Sequence, residues 1–316
     1  MHLAAPNPLQ SAAMFAVSPA SVDRAAAPAR RAPGAGELEF TRVRGRTVLT
    51  RAFAASPLKV LCPRHAGASA WAYLATFGGG LVGGDTIDLS VTVGAGATAL
   101  LATQASTKVY RSETGASQTL QADVADGGLL VLLPDPVTCF AGASYRQEQR
   151  VRLAPAASLV LVDRLTAGRV ASGERWLFDR YFSRTRVWRG NRLLLHDAVQ
   201  LTRDDGEIAR RLDRFDVLAS VVLLGPALAS TAARLTGVSE SLPVLRRADV
   251  LLSAAPLDGG GATLRMAARS VEQIASALRQ HLSVVTSLLG DDPWKAVQTQ
   301  RTVGKRNLGQ LLRQSD

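Results

Sequence analysis

From Glu37 to Leu224 the chain is a succession of short apolar stretches, each closed by glycine, proline, aspartate or asparagine. Residues 38–46, 49–53, 57–61, 71–77, 86–93, 97–103, 117–124, 128–133, 137–140, 145–153, 157–163, 176–188, 192–200 and 213–224 are rich in β-branched and aliphatic side chains, several in strict alternation, and read as strands. Gly94-Ala95-Gly96 and Asp126-Gly127-Gly128 are turn signals between them, and Arg189-Gly190-Asn191 is a hairpin signature. Many short strands in one domain predict a mainly β fold: a sandwich, a barrel or an irregular solenoid. No fixed repeat period singles out a regular solenoid.

The pattern changes after Ala229. Residues 230–235 suit one or two helical turns, and Val250 to Leu252 and Thr263 to Ala267 flank Asp258-Gly259-Gly260-Gly261 as a hairpin. Ser270 then opens an amphipathic run in which Val271, Ile274, Leu278, Leu282, Val285 and Leu289 form one stripe, with Gln273 placed for a capping box. This predicts a short C-terminal helical part, about 270–289, ended by Gly290-Asp291-Asp292-Pro293. The expected organisation is a disordered extension over 1–36, rich in Ala, Pro and Ser, a β-rich domain over 37–290, and a basic tail over 291–316 that orders only with a partner.

A chain of 316 residues with 47% hydrophobic and 20% charged residues has the composition of a soluble globular protein. No run approaches the roughly 20 apolar residues of a membrane span, so no membrane is expected. The formal charge of +11 points to acidic partners. Its arginines and lysines are scattered, with few interleaved aromatics, so a nucleic-acid partner is not expected. Cys62 and Cys139 form no C-x-x-C and read as buried thiols of a reducing compartment. Cys62-Pro63-Arg64-His65 has the spacing of half a zinc site, but no second pair completes it. Neither a Gly-x-Ser-x-Gly elbow nor a phosphate-binding lysine loop occurs, and no nucleophile with base and orienter is apparent. The chain reads as a binder or carrier rather than an enzyme.

Gly78-Gly79-Gly80-Leu81-Val82-Gly83-Gly84-Asp85 formally satisfies the dinucleotide fingerprint G-x-G-x-x-G. The segment after Asp85, however, alternates with a period of two through Ile87, Leu89, Val91 and Val93, which is a strand and offers no helix N-terminus to a phosphate. The glycines therefore read as a backbone corner. Three further polar stretches interrupt apolar surroundings: Thr98 to Tyr110, polar over Thr103-Gln104-Ala105-Ser106-Thr107-Lys108-Val109-Tyr110; Leu132-Leu133-Pro134-Asp135-Pro136; and Asp163-Arg164-Leu165-Thr166-Ala167-Gly168-Arg169 leading to Ser172-Gly173-Glu174, where acids and arginines lie close around glycines. Singly, each suits a strand end with turn residues.

Together and in this order, the four stretches resemble the urease accessory protein D family over roughly residues 37–290, the Gly-Gly-Asp and Thr-Gln-x-x-Thr-Lys-x-Tyr pair being specific in combination. The resemblance implies an irregular β-helix-like, multi-stranded body with C-terminal helices. It implies a cytoplasmic urease maturation scaffold, not an enzyme, working as a hetero-oligomer with UreF, with the GTPase UreG through UreF, and with the urease apoprotein. No tightly bound cofactor is expected, only transient Ni²⁺ in an interior passage. A conduit must release its cargo, which suits hydroxyl, amide and isolated carboxylate oxygens better than clustered His or Cys. On this reading Asp85, Thr103, Gln104, Thr107, Asp135 and Glu174 line the passage. Lys108 and Arg169 act as counter-charges, and Gly79, Gly80, Gly83, Gly84 and Tyr110 shape the corner. The residues leave two alternatives open: a β-rich binding module for an acidic macromolecule, and a dinucleotide-dependent enzyme resting on the glycine fingerprint.

Overall fold

The computed structural model describes residues 32–63, 67–241 and 247–294. Most of the expected N-terminal extension and basic tail, and Arg64 and His65 of the half zinc pattern, lie outside the described residues.

A seven-stranded sheet has the spatial order β14 (Arg192–Thr202), β13 (Arg180–Arg189), β11 (Ser144–Leu153), β8 (Ala116–Val124), β5 (Thr86–Val93), β1 (Ala35–Val43) and β2 (Arg46–Ala54). A ten-stranded sheet runs β16 (Val250–Leu257), β17 (Gly261–Ala268), β15 (Val217–Leu224), β12 (Ser158–Thr166), β9 (Leu129–Leu133), β6 (Thr98–Thr103), β4 (Ala70–Thr76) and β3 (Leu58–Leu61). Its two remaining strands, β7 (Thr107–Val109) and β10 (Val137–Cys139), form a side branch against the end of β12. From β4 to β13 the chain passes repeatedly from one sheet to the other. Successive visits to a sheet are consequently parallel: β5 to β8, β8 to β11 and β11 to β13 in one, β4 to β6, β6 to β9 and β9 to β12 in the other. Antiparallel pairs such as β1–β2, β13–β14 and β16–β17 lie at the flanks.

Alternation sets the two faces of each sheet. Across the seven-stranded sheet the register aligns Val91, Ala122, Val151 and Val187, all buried, and these pack on Leu101, Leu130, Leu159 and Leu161 of the opposite sheet. A second core lies on the other side of the ten-stranded sheet. There α2 (Ala229–Ser241), α3 (Val271–His281) and α4 (Val284–Leu289) cover Trp71, Leu100, Val131, Val160 and Val221 with Leu228, Ala232, Leu235, Ile274, Leu278, Leu282, Val285 and Leu289. The outer face of the seven-stranded sheet carries no such helical layer in the described residues.

Several elements differ from the sequence expectation. The single helix over 270–289 is two, divided at Leu282–Ser283, where the Leu282 backbone (φ −109°, ψ 27°) leaves the helical region. The apolar stripe crosses the break intact because Leu282 remains fully buried. The expected capping box is present, Ser270 Oγ accepting from the Gln273 N–H while Gln273 accepts from the Ser270 N–H. The turns expected at 230–235 are part of the longer α2, and α1 (Ile208–Leu212) and β7 are additional. Strands expected from 176 and 213 begin only at Arg180 and Val217, since Trp176 (φ 57°) and Asp213 (φ 48°) occupy left-handed backbone that a strand cannot contain. Cys139 is buried as expected, whereas Cys62, just beyond the short flanking strand β3, is exposed.

Candidate functional site at the polar end of the sandwich

All four polar stretches converge at one end of the inter-sheet space. Leu81, inside the glycine run, pairs with Val109 of β7, its N–H donating to the Lys108 carbonyl at 2.8 Å and its carbonyl accepting from Tyr110 at 2.9 Å. Thus the two stretches most specific to the resemblance are hydrogen-bonded to each other. Glycine is required where they touch: a Cβ on Gly80 would lie 2.6 Å from Tyr110 Cε2 and 2.7 Å from the Lys108 carbonyl, and one on Gly83 2.6 Å from Ser112. Gly79 and Gly84 instead have positive φ, 74° and 84°. Asp85 closes the corner by accepting from the Val82 N–H at 2.8 Å through Oδ2. β7 in turn pairs with β10, and β10 with Leu165–Thr166 of β12, so a narrow parallel ribbon spans this end of the body.

The remaining stretches attach to that ribbon. Thr103 Oγ1 accepts from the Asp135 N–H at 2.7 Å, and Arg164, buried beside the Pro134-Asp135-Pro136 corner, donates to the Pro134 carbonyl and faces the Asp135 carboxylate at 3.6 Å. Tyr110 meets Phe140 edge-on at 5.1 Å, and the Arg169 guanidinium covers the Phe140 ring at 4.3 Å. Glu174 Oε2 accepts from Arg169 Nε at 3.0 Å and from the Ala141 N–H at 3.2 Å. The Arg169 hydrogen bond, helped by that N–H, holds the Glu174 carboxyl below its usual range.

Cavities share walls along this end. One of about 130 Å³ is lined by Gly79, Gln104, Ser106, Thr103, Thr107 and Gln118. The last three also line a smaller one of about 50 Å³ with Asp135, Tyr145, Gln147 and Asp163. Asp163 also borders an apolar cavity of about 440 Å³ that reaches Leu251, Ser253, Arg265 and Met266, and Tyr145 borders a cleft of about 600 Å³ that contains Asp85 and Gly84. The structure therefore brings Thr103, Gln104, Thr107 and Asp135 to the walls of two adjoining cavities, with Asp85 in the neighbouring cleft. Glu174, Arg169, Tyr110 and the exposed Lys108 belong to the ribbon and its edge and are not among the residues lining these spaces.

At the centre of the site are residues to which the sequence assigns no role: Asp163, which opens the third polar stretch, and Gln118, Gln147 and Ser183, which stand in no motif. Gln118, Gln147 and Ser183 are aligned across β8, β11 and β13 and face inward, two inward positions before the row of Ala122, Val151 and Val187. Gln147 Nε2 donates to Asp163 Oδ2 at 2.7 Å and to Ser183 Oγ at 2.9 Å, and Ser183 donates to the same carboxylate oxygen at 2.7 Å. Tyr181 OH reaches it at 3.5 Å. Burial pushes the Asp163 carboxyl above the ordinary range, against the hydrogen bonds from Ser183 and Gln147 that oppose the shift. The signal was parity: in Leu159-x-Leu161-x-Asp163-x-Leu165 the aspartate occupies an inward position of a strand that is otherwise apolar on that face.

Chemically, the site offers hydroxyls, amides and separated carboxylates. Among the described residues no group of three or more His, Cys, Asp or Glu side chains is placed to hold a metal ion. Such a lining can coordinate a partly hydrated cation weakly, in successive positions, and has no assembled nucleophile and base.

The chain is similar to known proteins. The family model described as UreD urease accessory protein matches residues 32–298. A urease accessory protein UreD of Sorangium cellulosum is 56% identical over 268 residues, covering 84% of this chain and 85% of that relative. One from Anaeromyxobacter is 49% identical, covering 83% and 88%. Similarity extends to plants, where urease accessory protein D of Oryza sativa subsp. japonica is 38% identical, covering 86% of this chain and 98% of the relative.

Proposed function

Because the chain belongs to the UreD family of urease accessory proteins, with its role in urease maturation, we propose that it is the scaffold that docks on the urease apoprotein and conducts Ni²⁺ toward the urease active site. It receives the ion in a cytoplasmic hetero-oligomer with UreF and, through UreF, the GTPase UreG. The chain contributes a path and not a catalytic step. No helix among the described residues is long and apolar enough to cross a membrane.

The observation that carries this reading is the row of adjoining cavities whose shared wall is Thr103, Thr107 and Gln118 and whose far end is Asp163. Its narrowest chamber, about 50 Å³, has room for a few waters but not for a metal ion with its whole hydration shell. An ion moving through it must exchange part of that shell for side-chain oxygens, here Thr103, Thr107, Asp135, Gln118, Gln147 and Asp163. Hydroxyl and amide oxygens give that exchange without the affinity of a thiolate or imidazole cage, so the ion leaves as readily as it enters. Asp85 and Glu174 belong to the approach, Glu174 being set by Arg169 in the edge ribbon.

Reconstituted activation of apo-urease by Ni²⁺ with the complete set of accessory proteins tests the assignment. The double variant Asp85→Ala, Glu174→Ala is expected to abolish activation while the complex still co-elutes on size exclusion. Full activation by that variant would remove both residues from the path.

A further inference from the structure

The exposed face of the seven-stranded sheet is chemically unlike the rest of the surface. Outward positions of β11 and β13 present Arg146, Arg150, Arg152, Arg180, Arg184 and Arg186, with Glu148 the sole acid among the outward residues of these two strands. Parallel register sets them side by side: Arg150 is opposite Arg186, and Glu148 opposite Arg184. Arg146, Arg150 and Arg186 all turn to Glu148, at 2.5, 2.9 and 3.4 Å. One carboxylate does not satisfy them, since Nε of both Arg150 and Arg186 is buried without an acceptor. Two aromatic side chains on the same face are already covered. Arg146 and Arg184 lie over Phe182 at 4.7 and 5.0 Å, and Arg186 and Arg152 over Trp188 at 5.5 and 5.9 Å.

At one end the face descends into the cleft of about 600 Å³, which is lined by Arg146, Arg180, Arg184 and Phe182 together with the hydroxyls of Ser117 and Ser144, and whose one acid, Asp85, already accepts from the Val82 N–H. Guanidinium forks and hydroxyl donors converging on a concave site suit a carboxylate. The strands beneath are parallel, and parallel sheets are normally covered on both faces. Among the described residues helices cover only the outer face of the other sheet.

We propose that the β11–β13 face docks an acidic polypeptide segment of another protein, with one of its carboxylates seated among Arg146, Arg180 and Arg184. Charge complementarity selects the occupant: the face is cationic and its rings are occupied by arginines, so they are not free as stacking platforms for nucleic-acid bases. A segment of this same chain does not meet the requirement. Residues 1–31 contain one acid, Asp23, and residues 295–316 contain one, Asp316. The face adjoins the cleft that also contains Asp85, but Arg152, Arg180 and Arg184 line none of the interior cavities around Thr103, Thr107 and Asp163, so peptide binding is read separately from nickel conduction.

Fluorescence anisotropy of a fluorescein-labelled Glu-rich peptide, titrated with the full-length chain at low and at high salt, tests it. Arg152→Gln, Arg180→Gln, Arg184→Gln leaves all three partners of Glu148 in place, and Arg210→Gln, Arg247→Gln, Arg279→Gln removes equal charge from exposed sites elsewhere. We expect saturable, salt-sensitive binding that weakens about tenfold in the first variant and less than twofold in the second. Equal losses in the two variants, or no saturable binding, would overturn the proposal. So would tighter binding of a single-stranded oligonucleotide with the same dependence on Arg152, Arg180 and Arg184, which would make the face a nucleic-acid surface.

Discussion

The two ends of the inter-sheet space are built from the same strands and differ in polarity and packing. Toward one end, Val91, Ala122, Val151 and Val187 face Leu130 and Leu159, and the interior is closed by aliphatic packing. A few residues back along the same strands, Gln118, Gln147 and Ser183 face Asp163, and cavities replace packing. Burying a carboxylate and two amides where leucine would fit costs stability, because each must be desolvated and then re-bonded. One end therefore holds the fold, and the other is kept polar at its expense. At the centre of the polar end strand register places the chemistry, through Gln118, Gln147, Asp163 and Ser183, while Asp85, Gln104 and Asp135 come from the connections between strands.

Substitutions at the two ends should separate stability from activation. The largest expected effect on stability is at the dry end. Leu159→Ala removes a fully buried side chain and should destabilise by about 2–5 kcal/mol in urea unfolding. Urease activation should fall only in proportion to the folded fraction. At the wet end, Thr103→Val keeps the shape but removes the acceptor of the Asp135 N–H, at a cost of about 1–3 kcal/mol. Here activation should drop further than the folded fraction explains; a strictly proportional loss would make Thr103 structural.

A smaller effect concerns Asp163 and pH. Its carboxyl is raised in the folded protein, so its contribution to stability is fully present below the unfolded aspartate value, about 3.9, and is lost as pH rises through the raised folded value. Asp163→Asn should therefore gain stability relative to the parent as pH increases from 4 toward neutrality, read from paired urea titrations. A gap independent of pH would show that the carboxyl is not perturbed. The smallest effect is expected on the outer face. There the hydrogen bond from Arg146, aided by Arg150, holds Glu148 down from 4.5 to about 2. Its contribution is present above the upper value and disappears as pH falls through the lower one, so the stability difference between the parent and Glu148→Gln should shrink over that interval and stay flat above it.

Much of this organisation is legible in the sequence, for a physical reason. Period-two alternation at Ile87, Leu89, Val91 and Val93 fixes both a strand and its buried face, and it refuses the nucleotide reading of the glycines before it. Ser270 and Gln273 announce a cap that depends only on neighbours in sequence. Pairing between distant strands is not encoded so locally. Nothing near Gly80 says that Tyr110 lies against it, or that Gln118, Gln147 and Asp163, far apart in the chain, meet inside. Turn-like motifs draw attention to Asp85, Asp135 and Glu174, and the third polar stretch begins at Asp163, while Gln118, Gln147 and Ser183, visible only as exceptions to an apolar row, read as ordinary strand composition. Glu174 shows the converse: it is prominent in sequence, yet its setting by Arg169 and Ala141 at the edge ribbon, outside the cavity walls, is visible only in the structure.

The central claim is that the polar end carries nickel, and Asp163→Asn tests it most directly because the change preserves size and relieves a buried charge instead of creating one. The measurement is nickel bound per urease active site after incubation of apo-urease with the complete accessory complex and limiting Ni²⁺, alongside size exclusion of the complex and urea unfolding of the variant. The account predicts a complex of normal composition, a chain at least as stable as the parent at neutral pH, and nickel delivery reduced by about an order of magnitude. Parental nickel loading by a stable Asp163→Asn complex would contradict it.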